Sequence, residues 1–99
     1  MSQEKNTVAT AIFYRQVRDF VAKTPVWGMA IRYQTKPDER FDMTLISRRI
    51  YGRPDEFLVV MAAAGLDSVE QELPEQLLVL PTESQLLTLK TAARFGNFG

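Results

Sequence analysis

The chain has 99 residues, enough for one domain but not two, and its twelve basic and twelve acidic side chains cancel at neutral pH. The absence of cysteine and histidine excludes disulfides and thiolate metal sites, and it removes the commonest general base and metal ligand. The neutral balance gives no electrostatic footprint for nucleic acid or an anionic membrane, and no apolar run approaches the roughly 18 residues of a membrane span.

Residues 1–24 are predicted to form an N-terminal extension. The first seven residues are polar, which is not typical of a secretory signal, and we expect them to be disordered. The apolar residues that follow have the spacing of one helix face: Phe13, Val17, Phe20 and Val21. Their β-branched and aromatic content leaves an extended arm open as the alternative. Thr24-Pro25 ends the segment, because a residue before proline is pushed out of the helical region.

Residues 26–34 alternate as a half-buried strand does. One set of alternating positions is wholly apolar and consists of Trp27, Met29, Ile31 and Tyr33. We expect Ile31 and Tyr33 in the core. Trp27 fits either a core position or an interface anchor, since tryptophan is enriched at binding hot spots.

A first helix is predicted after Asp42, which is a good N-cap residue. Its inward stripe follows at helical spacing and consists of Met43, Ile46, Ser47 and Ile50. Tyr51-Gly52 ends the helix, because glycine tolerates the left-handed conformation. We expect the arginines Arg48, Arg49 and Arg53 to be solvated.

A second helix is predicted over residues 54–64, with Pro54 in its first turn and Gly65 just past its end. Its core stripe is Phe57, Val60, Met61 and Ala64, yet the positions off that stripe, Leu58, Val59, Ala62 and Ala63, are also apolar. A surface helix should have a polar face, and this one lacks it. Either the chain's own flanking segments cover these side chains or a neighbouring subunit does.

The C-terminal third begins with an acidic connection over residues 67–75. A short strand over residues 77–80 follows and is stopped by Pro81. Thr82 then caps a last helix whose apolar side is Leu86, Leu87, Leu89 and Ala93. The tail 94–99 carries Phe95 and Phe98 on flexible glycines, and such a tail can order against a neighbouring subunit.

Catalysis has little support in these residues. Ser47, Ser68 and Ser84 have no histidine to activate them. Paired carboxylates occur only in the acidic connection, whose spacing lacks the glycine and alternation of a calcium loop. We therefore expect no enzyme, and no catalytic, cofactor-binding or metal-binding residue.

The order of these elements resembles a LysM domain. The matching segments are residues 42–52, DMTLISRRIYG, residues 57–66 with their glycine turn, and residues 73–81, LPEQLLVLP. The resemblance covers about residues 29–81 and implies an α+β fold. The expected organisation is an N-terminal extension over 1–24, a LysM-like βααβ domain over 25–81, and a C-terminal helix and tail over 82–99.

Two groups of proteins share this fold. The first group binds peptidoglycan or chitin, and the second comprises LysM-like baseplate proteins of contractile phage tails. The segment IYGRPDEF over residues 50–57 looks more like the second group. Membership of the second implies a virion protein assembled in the host cytoplasm, in several copies in a ring, that contacts tube, hub, wedge or sheath proteins.

The glycan-binding alternative is weakened at two positions. Arg40-Phe41-Asp42 replaces the usual Gly-Asp-Thr before the first helix, and Ala64 replaces the usual asparagine before the turn glycine. A sugar site needs placed hydrogen-bonding groups. The predicted interface with partner subunits consists of Trp27, Leu58, Val59, Ala62, Phe95 and Phe98.

Overall fold

The computed structural model describes residues 2–68 and 70–93, with side chains from Val8 onward. Within them lie four α-helices and a two-stranded antiparallel sheet, so the predicted α+β class is confirmed. The elements in chain order are α1 (Ser2–Lys23), β1 (Ile31–Gln34), α2 (Met43–Tyr51), α3 (Phe57–Ala64), β2 (Leu77–Leu80) and α4 (Glu83–Ala93). Short 3-10 turns precede α2 and α3 at Pro37–Glu39 and Pro54–Glu56.

The sheet is shorter than the alternating pattern predicts. β1 and β2 pair from Ile31 opposite Leu80 to Gln34 opposite Leu77. Residues 26–30 lack a partner strand, because β2 ends at Leu80 and the following Pro81 has no backbone N–H to donate. The predicted strand over 26–34 is therefore wrong in its first half, which forms a turn instead.

Helix α2 forms where the sequence predicts it. The Asp42 carboxylate accepts a hydrogen bond from the backbone N–H of Leu45 at 3.1 Å, and Gly52 ends the helix with a left-handed φ of 75°. The predicted inward residues Met43, Ile46 and Ser47 are buried. The neighbouring Tyr51 is also buried, and its hydroxyl donates to the carbonyl of Pro81.

Helix α3 is enclosed by the chain itself. It packs against α1, α2 and β2, and Gly65 ends it with a φ of 74°. Five consecutive side chains are buried: Val59, Val60, Met61, Ala62 and Ala63. This enclosure explains the missing polar face, because residues 59–63 are buried all round the helix and only Phe57, Leu58 and Ala64 are partly exposed.

Helix α1 is part of the core. The predicted helix is confirmed, with Phe13 and Val17 buried, while the alternative of an extended arm and the expected disorder at its start are wrong. The helix continues back to Ser2 and packs against both α3 and α4, burying Ala9, Phe13 and Val17. Its polar side chains also reach across to α3. The Arg18 guanidinium donates to the carbonyl oxygens of Ala62 and Ala63 at 3.1 and 3.3 Å, at the C-terminal end of α3. The Ala62 carbonyl also accepts from the backbone N–H of Gly65 at 3.0 Å.

Helix α4 begins at a reciprocal cap. The backbone N–H of Thr82 donates to the Gln85 side chain at 2.8 Å, and that of Gln85 donates to the Thr82 hydroxyl at 3.3 Å. Leu86 and Ala93 face inward as predicted. Leu87, predicted on the apolar side, is 67 % exposed, because it lies one position away from the buried Leu86 around the helix.

Candidate interaction surface

Among the large apolar side chains that the structure describes, the three most exposed lie in the turn that leads into β1. Val26 and Trp27 are each 85 % exposed, and Met29 is 74 % exposed. A monomeric domain gains nothing by holding three large apolar side chains in water within four positions. We call residues 25–29 the Trp27 turn.

The Trp27 turn is fixed by hydrogen bonds rather than left loose. The N–H of Gly28 donates to the carbonyl of Pro25 at 2.8 Å, which closes a β-turn around Val26 and Trp27. The Arg32 guanidinium donates to the carbonyls of Pro25 and Gly28 at 2.9 and 3.0 Å. From α4, the Gln85 amide donates to the carbonyl of Met29 at 2.9 Å. The exposed side chains therefore stand on a pre-ordered backbone.

Gly28 is required in this turn by space. A Cβ atom at this position would lie 2.9 Å from Pro25 Cδ and 3.1 Å from the Pro25 carbonyl oxygen. Contacts this short force the proline ring or the backbone to move. A glycine at the fourth position of a β-turn is also the local signal that could have predicted the turn from the sequence.

A shallow depression of about 350 Å³ adjoins the turn. Its apolar walls come from Phe20 of α1, Pro25 and Met29 of the turn, and Leu89 of α4. Gln16 and Asp19 of α1 add polar groups to its lining. The depression and the projecting Trp27 thus share one stretch of backbone.

The predicted interface residues do not come together in one place. Val59 and Ala62 are completely buried by the chain's own elements, which corrects their assignment to a subunit contact. Leu58 is half-buried and packs against the core. Trp27 lies on the surface, which excludes the core position that was one of its two predicted alternatives. Phe95 and Phe98 lie outside the described residues. Val26 and Met29 are absent from the predicted interface, because the alternating pattern of residues 26–34 indicates a strand and not the turn that the structure shows.

Two of the acidic side chains that the structure describes are buried, and each forms at least one ion pair. Glu39 accepts from Arg49 Nη1 at 2.6 Å and from the backbone N–H of Lys36 at 2.7 Å. Glu56 accepts from Arg53 Nη2 at 2.7 Å and from Lys90 Nζ at 2.6 Å. Their partners hold these carboxylates in structural roles. The prediction that Arg49 and Arg53 are merely solvated is wrong.

These ion pairs shift the titration of exposed acids. Hydrogen bonds from the Arg53 guanidinium hold the pKa of Glu83 below its usual value, and Arg49 does the same to the pKa of Asp38. The Thr44 hydroxyl lowers the pKa of Asp42 in the α2 cap. Burial, followed by the negative charges of Glu56 and Glu83, raises the pKa of Tyr51.

The remaining features of the described residues point to no other site. The acidic side chains Asp67, Glu70, Glu72 and Glu75 are exposed, as predicted for a solvated loop. Across all the residues that the structure describes, no group of three or more acidic side chains is placed to hold a metal ion. Among the helices described, none has the length and apolar character needed to cross a membrane.

Comparison of the chain with protein-family models, with curated proteins and with solved structures gives no match.

Proposed function

We propose that this chain is a structural component of a contractile phage tail baseplate, a LysM-like adaptor that joins the tail tube or hub to wedge or sheath-initiating proteins. The observation that carries the proposal is the order β1, α2, α3, β2. The details that accompany this order are the Asp42 cap, the Tyr51-Gly52 stop, the Gly65 turn and Pro81 after β2. These are the features on which the resemblance rests.

The mechanism is adhesion by a rigid body. Helix α1 packs against the βααβ unit, and the buried carboxylates of Glu39 and Glu56 form ion pairs with Arg49 and Lys90. Both kinds of contact make the unit rigid. The pre-ordered Trp27 turn supplies an anchor for a neighbouring subunit, because a large aromatic side chain that needs no further ordering loses little entropy on binding.

Two contacts make glycan binding the weaker alternative. The backbone N–H of Leu73 donates to the carbonyl of Arg40 at 2.7 Å, and the Arg40 guanidinium pairs with Glu72 at 3.1 Å. These bonds tie Arg40, which stands in one of the two places where the sequence departs from the glycan-binding pattern, to the acidic connection. The Asp42 carboxylate is also engaged, since it caps α2.

The deciding experiment is to tag the chain in the genome that encodes it and to isolate intact contractile particles. We expect mass spectrometry to find the chain in stoichiometric, multiple copies per particle, and gold labelling to place it at the baseplate end. Particles that contain tube and sheath proteins but none of this chain would refute the proposal.

A parallel assay separates the alternative. The purified chain is mixed with isolated cell walls and sedimented, with a characterised LysM module as the positive control. We expect the chain to remain in the supernatant. Saturable retention on the walls would favour the peptidoglycan-binding module instead.

A further inference from the structure

We propose that two copies of this chain associate through the Trp27 turn, with the indole of each copy seated in the depression of the other. This inference goes beyond the baseplate function and does not depend on it, because it concerns the purified chain alone. It starts from one juxtaposition: Trp27, the most exposed aromatic side chain among the described residues, and a depression with apolar walls lie on the same turn.

The depression suits an indole in size and chemistry. Its volume of about 350 Å³ is at the small end of the roughly 300–1,000 Å³ of small-molecule sites, which favours one aromatic side chain as occupant. Phe20, Met29 and Leu89 offer apolar and aromatic contacts. The indole Nε1–H is a donor without acceptor capacity, and the Gln16 and Asp19 oxygens are acceptors in the same lining.

A second copy fits better than an unrelated partner because the surface is complementary to itself. A two-fold contact must join one patch to the same patch, so each copy has to supply both a projection and a recess. Pro25 and Met29 belong to the Trp27 turn and also line the depression, so projection and recess are side by side. A two-fold axis between two copies of the chain therefore places the Trp27 side chain of each copy in the depression of the other.

The charges around the depression permit this pairing. Asp19 and Lys23 form an ion pair at 3.1 Å, and both line the depression. Asp19 and Lys23 are the charged residues of the lining, so the lining carries no net charge. Arg32 keeps its positive charge while it donates to the carbonyls of Pro25 and Gly28, but it does not line the depression. Two identical linings therefore meet without a net charge of one sign, which would oppose association.

The test uses the intrinsic fluorescence of the chain, since Trp27 is its only tryptophan. The emission spectrum and the sedimentation mass are measured on the full chain from micromolar to millimolar concentration. We expect the mass to rise from monomer to dimer, and the emission to shift to shorter wavelength over the same range as the indole leaves water. A chain that remains monomeric, or an emission that does not change as dimers form, would overturn the proposal.

Matched charge variants locate the contact. Met29→Glu places a carboxylate on the depression wall at an exposed position and keeps the fluorescent reporter. We expect it to raise the dimer dissociation constant by at least about tenfold, as for a binding hot spot. Leu87→Glu makes the same change at an exposed leucine of α4 that does not line the depression, and we expect no effect on dimerisation.

Trp27→Ala completes the set and should leave the chain monomeric throughout. Thermal unfolding of each variant verifies that the fold persists, which is expected because the three substituted side chains are exposed. Dimers that survive Trp27→Ala, or equal weakening by Met29→Glu and Leu87→Glu, would contradict the proposed contact.

Discussion

At the scale of single residues, Arg53 links three parts of the chain. Its guanidinium pairs with the buried Glu56 at 2.7 Å and with Glu83 at the start of α4 at 2.9 Å. The Ser47 hydroxyl donates to the Arg53 carbonyl and accepts the backbone N–H of Glu56. The segment between α2 and α3 is therefore held by ionic and hydrogen bonds, which explains how a charged sequence fits so near the core.

The pH dependence of stability should reveal the Arg53–Glu83 pair. Arg53 lowers the pKa of Glu83 below its usual 4.5 in the folded state, so the unfolded state binds a proton first as the pH falls. The stabilisation is fully present above pH 4.5 and is lost as the pH falls through the lower, folded pKa. We expect Glu83→Gln to make the acid-induced loss of unfolding free energy shallower, as measured by urea unfolding between pH 7 and about 3.

The control for this measurement is Glu75→Gln. Glu75 is an exposed acid for which the described residues contain no ion pair, and its removal should leave the pH profile close to that of the native chain. Identical profiles for Glu83→Gln and the native chain would show that the pair does not contribute.

At the scale of elements, the most informative helix is α3, because its sequence alone leaves open whether the chain's own segments or a neighbouring subunit cover it. Its apolar faces are met by α1, α2 and β2, and its last carbonyls are met by Arg18. The hydroxyl of Tyr14 adds a bond to the carbonyl of Leu66 at 2.9 Å, just beyond the helix. Helix α1 thus covers the apolar side chains of α3 and also supplies hydrogen-bond donors to the carbonyls at and just beyond its C-terminal end.

The cap can be tested by Arg18→Met, which keeps an unbranched apolar stem but removes the donors to Ala62 and Ala63. We expect a loss of about 1 kcal/mol in the free energy of unfolding, because hydrogen bonds from charged donors are worth roughly 1.5–3 kcal/mol and this one is partly exposed to water. Arg15→Met, at an exposed position of the same helix, is the matched control and should change stability by less than about 0.5 kcal/mol. Equal effects of the two substitutions would argue against the cap.

At the scale of the whole molecule, the radius of gyration is 13.0 Å, close to the roughly 13 Å expected for a 100-residue compact domain. Side chains from all three predicted segments enter one apolar cluster. Phe13 comes from the first segment, Ile46 from the second and Leu86 from the third. The expected boundaries at residues 24 and 81 therefore do not separate independent cores.

Removal of α1 should consequently abolish folding. We expect a fragment of residues 25–99 to show no cooperative thermal transition by circular dichroism, because it lacks Phe13 and Val17 and exposes α3. Addition of a synthetic peptide of residues 1–24 should restore helical signal in a concentration-dependent way. A fragment that melts cooperatively near the midpoint of the full chain would show that the βααβ unit folds alone.

Short-range signals were readable from the sequence. The Asp42 cap, the Gly52 and Gly65 stops and the end of β2 before Pro81 each depend on a few neighbouring residues. A cap or a left-handed glycine is a local matter of hydrogen bonding and backbone sterics, so these boundaries follow without knowledge of the rest of the chain. The α+β class follows from them.

Only the tertiary structure decided which apolar side chains are covered. Val59 and Ala62 are buried while Trp27 stands in water, although all three look alike in sequence as surplus apolar residues. The partners that decide this are distant, since Arg18 meets Ala62 from 44 positions away and Arg53 meets Glu83 from 30 positions away. The sequence by itself determined the ends of α2, the C-terminal end of α3 and the bounds of β2, because caps, left-handed glycines and a following proline act locally. The packing of α1 and α4 determined which surface is left for a partner, because coverage depends on contacts that no local pattern contains.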